Sequence, residues 1–148
     1  MTLLLKSFSS TLGATLDKLG NRAHEGWVAK LLEIAVSASD EKFGHASTTI
    51  DLRGLQHACD AFVVTSGSTT LQARSIALEI EHRVHSLLGA VPDHVEGEKD
   101  GRWILLDYGD VVVHVFEDAT REYYDLTHLW AHATQKVSAS WVVPVGGP

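Results

Sequence analysis

Residues 103–116 read Trp-Ile-Leu-Leu-Asp-Tyr-Gly-Asp-Val-Val-Val-His-Val-Phe. This stretch holds two runs rich in β-branched and aromatic residues, and Tyr108-Gly109 lies between them. Such a pattern predicts an antiparallel hairpin with strands at 102–107 and 110–116. The hairpin is the most informative feature of the sequence.

A two-residue loop at Tyr108-Gly109 predicts that Asp107 faces Asp110 across the ladder. In the same register, Trp103 faces His114. Because side chains alternate between the two faces of a strand, one face is purely aliphatic and must lie against the core. The other face is mixed, and it comprises Trp103, Leu105, Asp107, Asp110, Val112, His114 and Phe116.

The mixed face admits two interpretations. Carboxylates that face each other across a strand pair repel, so a cation of this chain, a metal ion or a Lys or Arg of a partner must compensate. Aromatic side chains rimmed by charge are typical of the hot spot of a protein interface. Alternatively, a helix of the same chain covers this face and the two Asp residues lie in a solvated turn. For His114, a structural role and a contact to a partner are both open.

Periodicity predicts the elements on either side of the hairpin. Apolar residues recur at helical spacing over residues 24–39, and β-rich runs follow at 48–52 and 60–65. Thr69 and Gln72 form a capping-box pattern at the start of a second helix, which Gly89 ends. The sequence pattern over residues 118–133 predicts one or two further helical segments.

Strands that interleave with helices predict an α/β fold with a mixed sheet of about five strands flanked by helices. The length of 148 residues fits a single domain. We assign residues 1–23 to a helical or flexible N-terminal extension, with a transit peptide as the alternative. Residues 24–133 form the α/β domain, and residues 134–148 form an irregular C-terminal tail.

The composition restricts the class of partner. The chain has 12 Lys and Arg against 19 Asp and Glu, a net charge of −7, and it contains no basic run. We therefore expect little direct binding of nucleic acid and favour a basic partner. Cys59 is the only cysteine, which fits a reducing compartment. No apolar run approaches the roughly 18 residues that a membrane span requires.

Catalysis and metal binding are alternatives with weaker support. Ser66-Gly67-Ser68 precedes a helix, as a phosphate-binding turn of a nucleotidyltransferase would. However, Asp107 and Asp110 lie on either side of a turn rather than at alternate positions of one strand, where two-metal chemistry needs them. The histidine pairs lack the third and fourth ligands that zinc sites usually have, namely His82 with His85 and His128 with His132. We expect no catalytic residue, no metal and no cofactor.

Three segments, 60–68, 103–116 and 121–130, resemble the ribosomal silencing factor family, also called RsfS or Iojap. The resemblance extends from Trp27 to Ala133. Its most specific part is the block Trp-x-Leu-Leu-Asp-Tyr-Gly-Asp-x-Val-Val-His. It implies a nucleotidyltransferase-like fold without transferase activity.

The resemblance also implies a function. Members of this family bind ribosomal protein L-fourteen on the large ribosomal subunit and sterically block joining of the small subunit, which represses translation; organellar relatives act in large-subunit assembly. The cytoplasm is the implied location, with a mitochondrion or chloroplast as the alternative. Apart from the resemblance, the non-polar side chains on the mixed face of the hairpin predict possible self-association as a homodimer when the protein is free of the ribosome. Carried over by position, the partner-binding residues are Trp103, Leu105, Asp107, Tyr108, Gly109, Asp110, Val112 and His114, with Arg121 and Tyr124 nearby.

Overall fold

A computed structural model describes residues 23–55, 59–129 and 134–137. The predicted N-terminal extension, apart from residue 23, and the tail after residue 137 lie outside the described residues. In chain order the elements are α1 (23–41), β1 (His45–Asp51), β2 (Ala61–Gly67), α2 (Thr70–Leu88), β3 (His94–Glu96), β4 (Trp103–Asp107), β5 (Val111–Glu117), α3 (Asp118–Tyr124), α4 (Leu126–Leu129) and β6 (Thr134–Val137).

The strands form one mixed sheet in the order β3-β4-β5-β2-β1-β6. β2 and β5 are parallel, and the other neighbouring pairs are antiparallel. The predicted α/β class and mixed sheet are therefore confirmed, with six strands rather than about five. β3 is only three residues long, too short to show a period in the sequence. The prediction of an irregular tail is wrong for residues 134–137, which pair with β1 as an edge strand.

The main hydrophobic core lies between α1, α2 and one face of the sheet. β2 and the parallel strand β5 are joined by a connection that contains α2, and this helix lies back on the sheet, as such connections do. The aliphatic side of the hairpin contributes Ile104, Leu106, Val111, Val113 and Val115, all of them buried. The predicted inward face of the hairpin is thus confirmed.

The ends of α2 follow the sequence signals. Thr69 is the N-cap, and its Oγ1 accepts a hydrogen bond from the backbone N–H of Gln72 at 3.1 Å. Gly89 ends the helix in the left-handed conformation, with φ of 68°, and its N–H donates to the carbonyl of His85. The amide of Gln72 donates to the carbonyls of Lys42 and Phe43, which ties the start of α2 to the end of α1.

The register of the hairpin differs from the predicted one. Trp103 pairs with Phe116 and Asp107 pairs with Val112, so each partner lies two residues further along β5 than predicted. Three residues, 108–110, connect β4 to β5. The first of them, Tyr108, donates its N–H to the carbonyl of Val111 at 2.9 Å. Because the side-chain period of a strand is two, this shift leaves every ladder residue on its predicted face. The predicted opposition of Asp107 and Asp110 is wrong.

Candidate functional site

The face of the hairpin that points away from α1 and α2 carries the predicted binding residues. We call it the hairpin face and define it by the side chains of Trp103, Leu105, Asp107, Val112, His114 and Phe116. His114 and Phe116 are buried, whereas the other four are half-buried. A second, smaller core lies on the same side of the sheet, formed by Ile50, Leu52, Val64 and Phe116, with Trp103 and Leu126 of α4 packed against it.

Trp103 is held in a column of aromatic rings. Its ring stacks on Phe116 at a centroid distance of 4.9 Å and an interplanar angle of 28°. Tyr124, at the end of α3, approaches the Trp103 ring at 4.8 Å and is 50% exposed. The indole is therefore oriented by its neighbours while part of its surface stays open, which is the state expected of a preorganised anchor residue.

His114 orients Trp103 from below. The indole Nε1–H of Trp103 donates to Nδ1 of His114 at 3.0 Å, so the proton of the neutral imidazole lies on Nε2. Burial lowers the pKa of His114 to about 4, and the ring is neutral at neutral pH. Nε2 is buried and has no hydrogen-bond partner among the described residues. Of the two roles that the sequence leaves open for His114, this geometry favours the structural one.

Asp107 and Gly109 form the turn at the end of the hairpin. Oδ1 of Asp107 accepts a hydrogen bond from the N–H of Gly109 at 2.8 Å, and Gly109 has a positive φ of 85° that favours glycine. The Asp107 carboxylate is half-buried at the rim of the hairpin face. It therefore fixes the turn and also places a negative charge beside the apolar surface.

Asp110 lies in the loop, and its compensating cation comes from this chain. Oδ2 of Asp110 lies 3.6 Å from Nδ1 of His24, and Nε2 of His24 lies 2.7 Å from Oδ2 of Asp60. The N–H of Asp60 also donates to the carbonyl of Asp110 at 2.7 Å. Sequence reasoning missed His24 and Asp60, because these three residues lie far apart in the chain and carry no shared motif.

The His24, Asp60 and Asp110 side chains are of types that bind metals, with donor atoms within 4.8 Å of one another. However, the two ring nitrogens of His24 face different carboxylates. One donor atom from each residue could meet at a metal ion, but such an ion would engage only one of the two ring nitrogens. The observed contacts suit an imidazolium between two carboxylates. Within the described ranges, no other group of three possible metal ligands occurs.

Tyr108 does not lie on the hairpin face. Its ring is 6% exposed and belongs to the core beneath α2, and its hydroxyl has no hydrogen-bond partner among the residues that the structure covers. Burial, with a smaller effect of Glu81, raises the pKa of its phenol. Tyr108 follows Asp107 directly and so turns to the opposite side of the chain. The prediction that its ring anchors a partner is wrong.

Arg121 connects α3 to the sheet. It donates from Nη1 to Ser66 Oγ at 2.8 Å and from Nη2 to Thr48 Oγ1 at 3.3 Å. Burial lowers the pKa of its guanidinium, which nevertheless stays charged at neutral pH. Through these two hydrogen bonds Arg121 supports the fold next to the hairpin face, and it lies on the same short helix as Tyr124.

Among the described residues, the side chains considered for catalysis or metal binding either have structural roles or lie exposed on the surface. Ser66 Oγ accepts from Arg121, and the N–H of Ser68 donates to the Gln72 side chain at 2.7 Å, so the turn before α2 is occupied by its own chain. Burial foremost, with the nearby Asp107 carboxylate, raises the pKa of Cys59 to about 11, which keeps this thiol protonated. His82, His85 and His128 are exposed. Every helix in the described part of the chain is too short or too polar to span a membrane.

The family model described as "Ribosomal silencing factor during starvation" matches residues 26–144. The chain belongs to the ribosomal silencing factor family. It is 37% identical over 103 residues to Ribosomal silencing factor RsfS of Bacillus subtilis. The aligned residues cover 70% of this chain and 86% of the relative. The corresponding protein of Halalkalibacterium halodurans is 36% identical over 104 residues, covering 70% and 88%.

A more distant family member and two solved structures are also similar to this chain. The chloroplastic protein Iojap of Arabidopsis thaliana is 28% identical over 109 residues, which span 73% of this chain but 44% of that protein. A crystal structure of a Chromobacterium violaceum protein has a TM-score of 0.66 at 28% identity and covers 80% of this chain and 95% of its own. A Bacillus halodurans structure has a TM-score of 0.61 at 36% identity, covering 68% and 93%. The resemblance seen in the sequence is confirmed.

Proposed function

We propose that this protein is a ribosomal silencing factor that binds the large ribosomal subunit through ribosomal protein L-fourteen. In this proposal the hairpin face docks on that protein, and the body of the domain sterically blocks joining of the small subunit, so that translation is repressed. Family membership supports the class of function. The observation that carries the docking assignment is the half-buried, aromatic and acidic hairpin face.

The apolar part of the proposed contact is preorganised. Trp103, Leu105 and Val112 are half-buried neighbours on one face, and the Trp103 ring is fixed by Phe116 and Tyr124. A side chain that is already ordered loses little conformational entropy on binding, a cost of about 0.5–1.5 kcal/mol for each flexible side chain. This surface is therefore suited to a partner that inserts apolar groups beside the indole ring.

The charged part of the contact favours a basic partner. Asp107 and Asp110 lie at the loop end of the hairpin face, and the chain carries a net charge of −7. Opposite charge at the rim of an interface accelerates encounter and helps to set the orientation of the partner. Ribosomal proteins are generally basic, which fits this arrangement, and the lack of a basic run disfavours direct binding to ribosomal RNA.

The proposed mechanism needs only binding and occupied space. We propose no catalytic residue and no cofactor, because the serine turn and the cysteine thiol are engaged or inert within the fold. The bacterial relatives support action in the cytoplasm, while the chloroplastic and mitochondrial relatives keep organellar large-subunit assembly as the alternative. When the protein is free, the hairpin face is available for self-association as a homodimer, which analytical ultracentrifugation tests.

The decisive experiment reverses the charge of the docking surface. We expect Asp107→Lys with Asp110→Lys to abolish co-sedimentation with purified large subunits while the circular dichroism spectrum stays unchanged. The matched control is Glu33→Lys with Asp40→Lys, which makes the same charge change at exposed positions of α1 on the other side of the sheet. A folded Asp107/Asp110 variant that still co-sediments like the wild-type protein would show that the docking assignment is wrong.

A further inference from the structure

We propose that His24 is an internal counter-ion of the docking surface, and that its protonation regulates the attraction of Asp110 for a cationic partner. The imidazolium form offsets part of the negative charge beside Asp110 and weakens docking, whereas the neutral form leaves that charge in full and strengthens docking. This inference rests on the proposed function, since it concerns the same surface, but it assigns a role to two residues outside that surface, His24 and Asp60.

The geometry around His24 favours the doubly protonated ring. Nε2 lies 2.7 Å from the Asp60 carboxylate and Nδ1 lies 3.6 Å from the Asp110 carboxylate. A neutral imidazole carries a single N–H, so only the imidazolium can donate toward both acceptors. Protonation of His24 therefore attracts both carboxylates, Asp60 through a hydrogen bond and Asp110 through charge at 3.6 Å. Loss of the proton removes the attraction of charge for Asp110.

The three side chains are also accessible to solvent and to a partner. The side chains of His24, Asp60 and Asp110 are 42%, 34% and 47% exposed. His24 can therefore exchange its proton with water, and an incoming Lys or Arg can reach Asp110. These groups come from three separate elements, namely the first turn of α1, the residue before β2 and the loop between β4 and β5. The hydrogen bond from the Asp60 N–H to the Asp110 carbonyl keeps the last two together.

Other charged groups around this cluster do not replace His24 as the titrating cation. Glu25, its neighbour on α1, adds negative charge. Arg53 lies near Asp60 and Glu25, but Asp51 holds its guanidinium through hydrogen bonds of 2.9 and 2.7 Å. The Cys59 thiol is protonated. Only His24 changes charge near neutral pH within this group.

The direction of the pH effect follows from the environment of His24. Its hydrogen bond to Asp60 raises its pKa above the usual 6.5, against the opposing effect of partial burial, and the charges of Asp110, Asp60 and Glu25 raise it further. His24 is therefore mainly charged in mildly acidic solution and loses its charge as the pH rises through the raised pKa. Over that range the charge of His24, Asp60 and Asp110 together changes from −1 to −2, so docking to a cationic partner strengthens.

The first test measures binding to purified large ribosomal subunits at constant ionic strength from about pH 6 to about pH 8, the range in which histidine titrates. We expect the affinity of the wild-type protein to rise by about two- to fivefold more than that of His24→Gln, as the removal of an exposed ion pair predicts. At the acidic end, His24→Gln should bind more tightly than wild type. Parallel pH profiles for the two proteins would overturn the inference.

The matched control is His45→Gln. Nε2 of His45 also lies 2.6 Å from an Asp carboxylate, that of Asp118, but this pair is at the opposite end of the sheet from Asp110. We expect His45→Gln to keep the wild-type pH profile. A change equal to that of His24→Gln would indicate a general effect of protein charge and would contradict a specific role for His24.

A second test needs no ribosome and separates this inference from the proposed function. In the free protein, an NMR titration of the His24 ring should give a lower pKa in Asp110→Asn than in wild type. An unchanged pKa would refute the coupling between His24 and Asp110 even if docking occurs. Conversely, a lowered pKa together with absent binding of the wild-type protein to large subunits would refute the proposed function and leave the coupling itself intact.

Discussion

Replacement of Trp103 tests whether one side chain both completes the second core and anchors the partner. The Trp103→Ala change removes the stack on Phe116, the contact to Tyr124 and the hydrogen bond to His114. Full truncation of a buried Trp costs about 3–5 kcal/mol, and Trp103 is half-buried. We therefore expect the free energy of unfolding to fall by about 2–3 kcal/mol.

The Trp103→Phe change separates the hydrogen bond from the packing. Phenylalanine keeps an aromatic ring in the column but leaves Nδ1 of His114 without its donor, and loss of such a bond costs about 1–2 kcal/mol. Urea denaturation followed by circular dichroism measures both variants, because the linear extrapolation gives the free energy of unfolding. Phe43, which is 83% exposed, provides the control, and we expect Phe43→Ala to change stability by less than about 0.5 kcal/mol.

Binding of the same variants to large subunits completes the test. Truncation of a hot-spot residue costs about 2 kcal/mol or more, so we expect Trp103→Ala to weaken binding by at least about 30-fold under conditions in which it stays folded. Phe43→Ala should bind like wild type. The reasoning is refuted if Trp103→Ala is as stable as wild type, or if the folded variant binds large subunits with unchanged affinity.

Three further predictions concern the supporting residues. Because burial lowers the pKa of His114 from 6.5 to about 4, this residue stabilises the fold above pH 6.5 and its contribution is lost as the pH falls toward 4. Acid unfolding curves should show wild type losing up to about 1.4 kcal/mol per pH unit more than His114→Asn in that range, and identical slopes would contradict this. Arg121→Met removes the hydrogen bonds to Ser66 and Thr48 and should lower the free energy of unfolding by about 1–3 kcal/mol. The control is Arg102→Met at an exposed position, which should have little effect. Equal losses of stability in urea denaturation would count against the prediction. Because the pKa of Cys59 is raised to about 11, its thiol should react with iodoacetamide at neutral pH about 10- to 100-fold more slowly in the native protein than in urea. Mass spectrometry measures both rates, and equal rates would refute the raised pKa.

The class of the fold, the caps of α2 and the faces of the hairpin are all predictable from the sequence. These features depend on local physics, because side chains alternate along any strand and Thr69 and Gly89 satisfy the ends of their own helix. The predicted register is wrong by two residues, but the sequence still predicts Trp103 and His114 on one face, since a shift of two residues preserves the face. The family was also evident from the hairpin, where the most specific residues are contiguous.

The register of the hairpin, the edge strand β6 and the charges around the loop depend instead on contacts between distant parts of the chain. Tyr108 enters the core beneath α2 and Asp107 accepts from the N–H of Gly109, and these contacts accompany a longer loop than the sequence predicts. β6 is defined by pairing with β1 and carries no local signal of its own. His24 reaches Asp110 only because α1 lies on the sheet, so a contact between residues distant in the chain depends on the whole fold rather than on any pattern in the sequence.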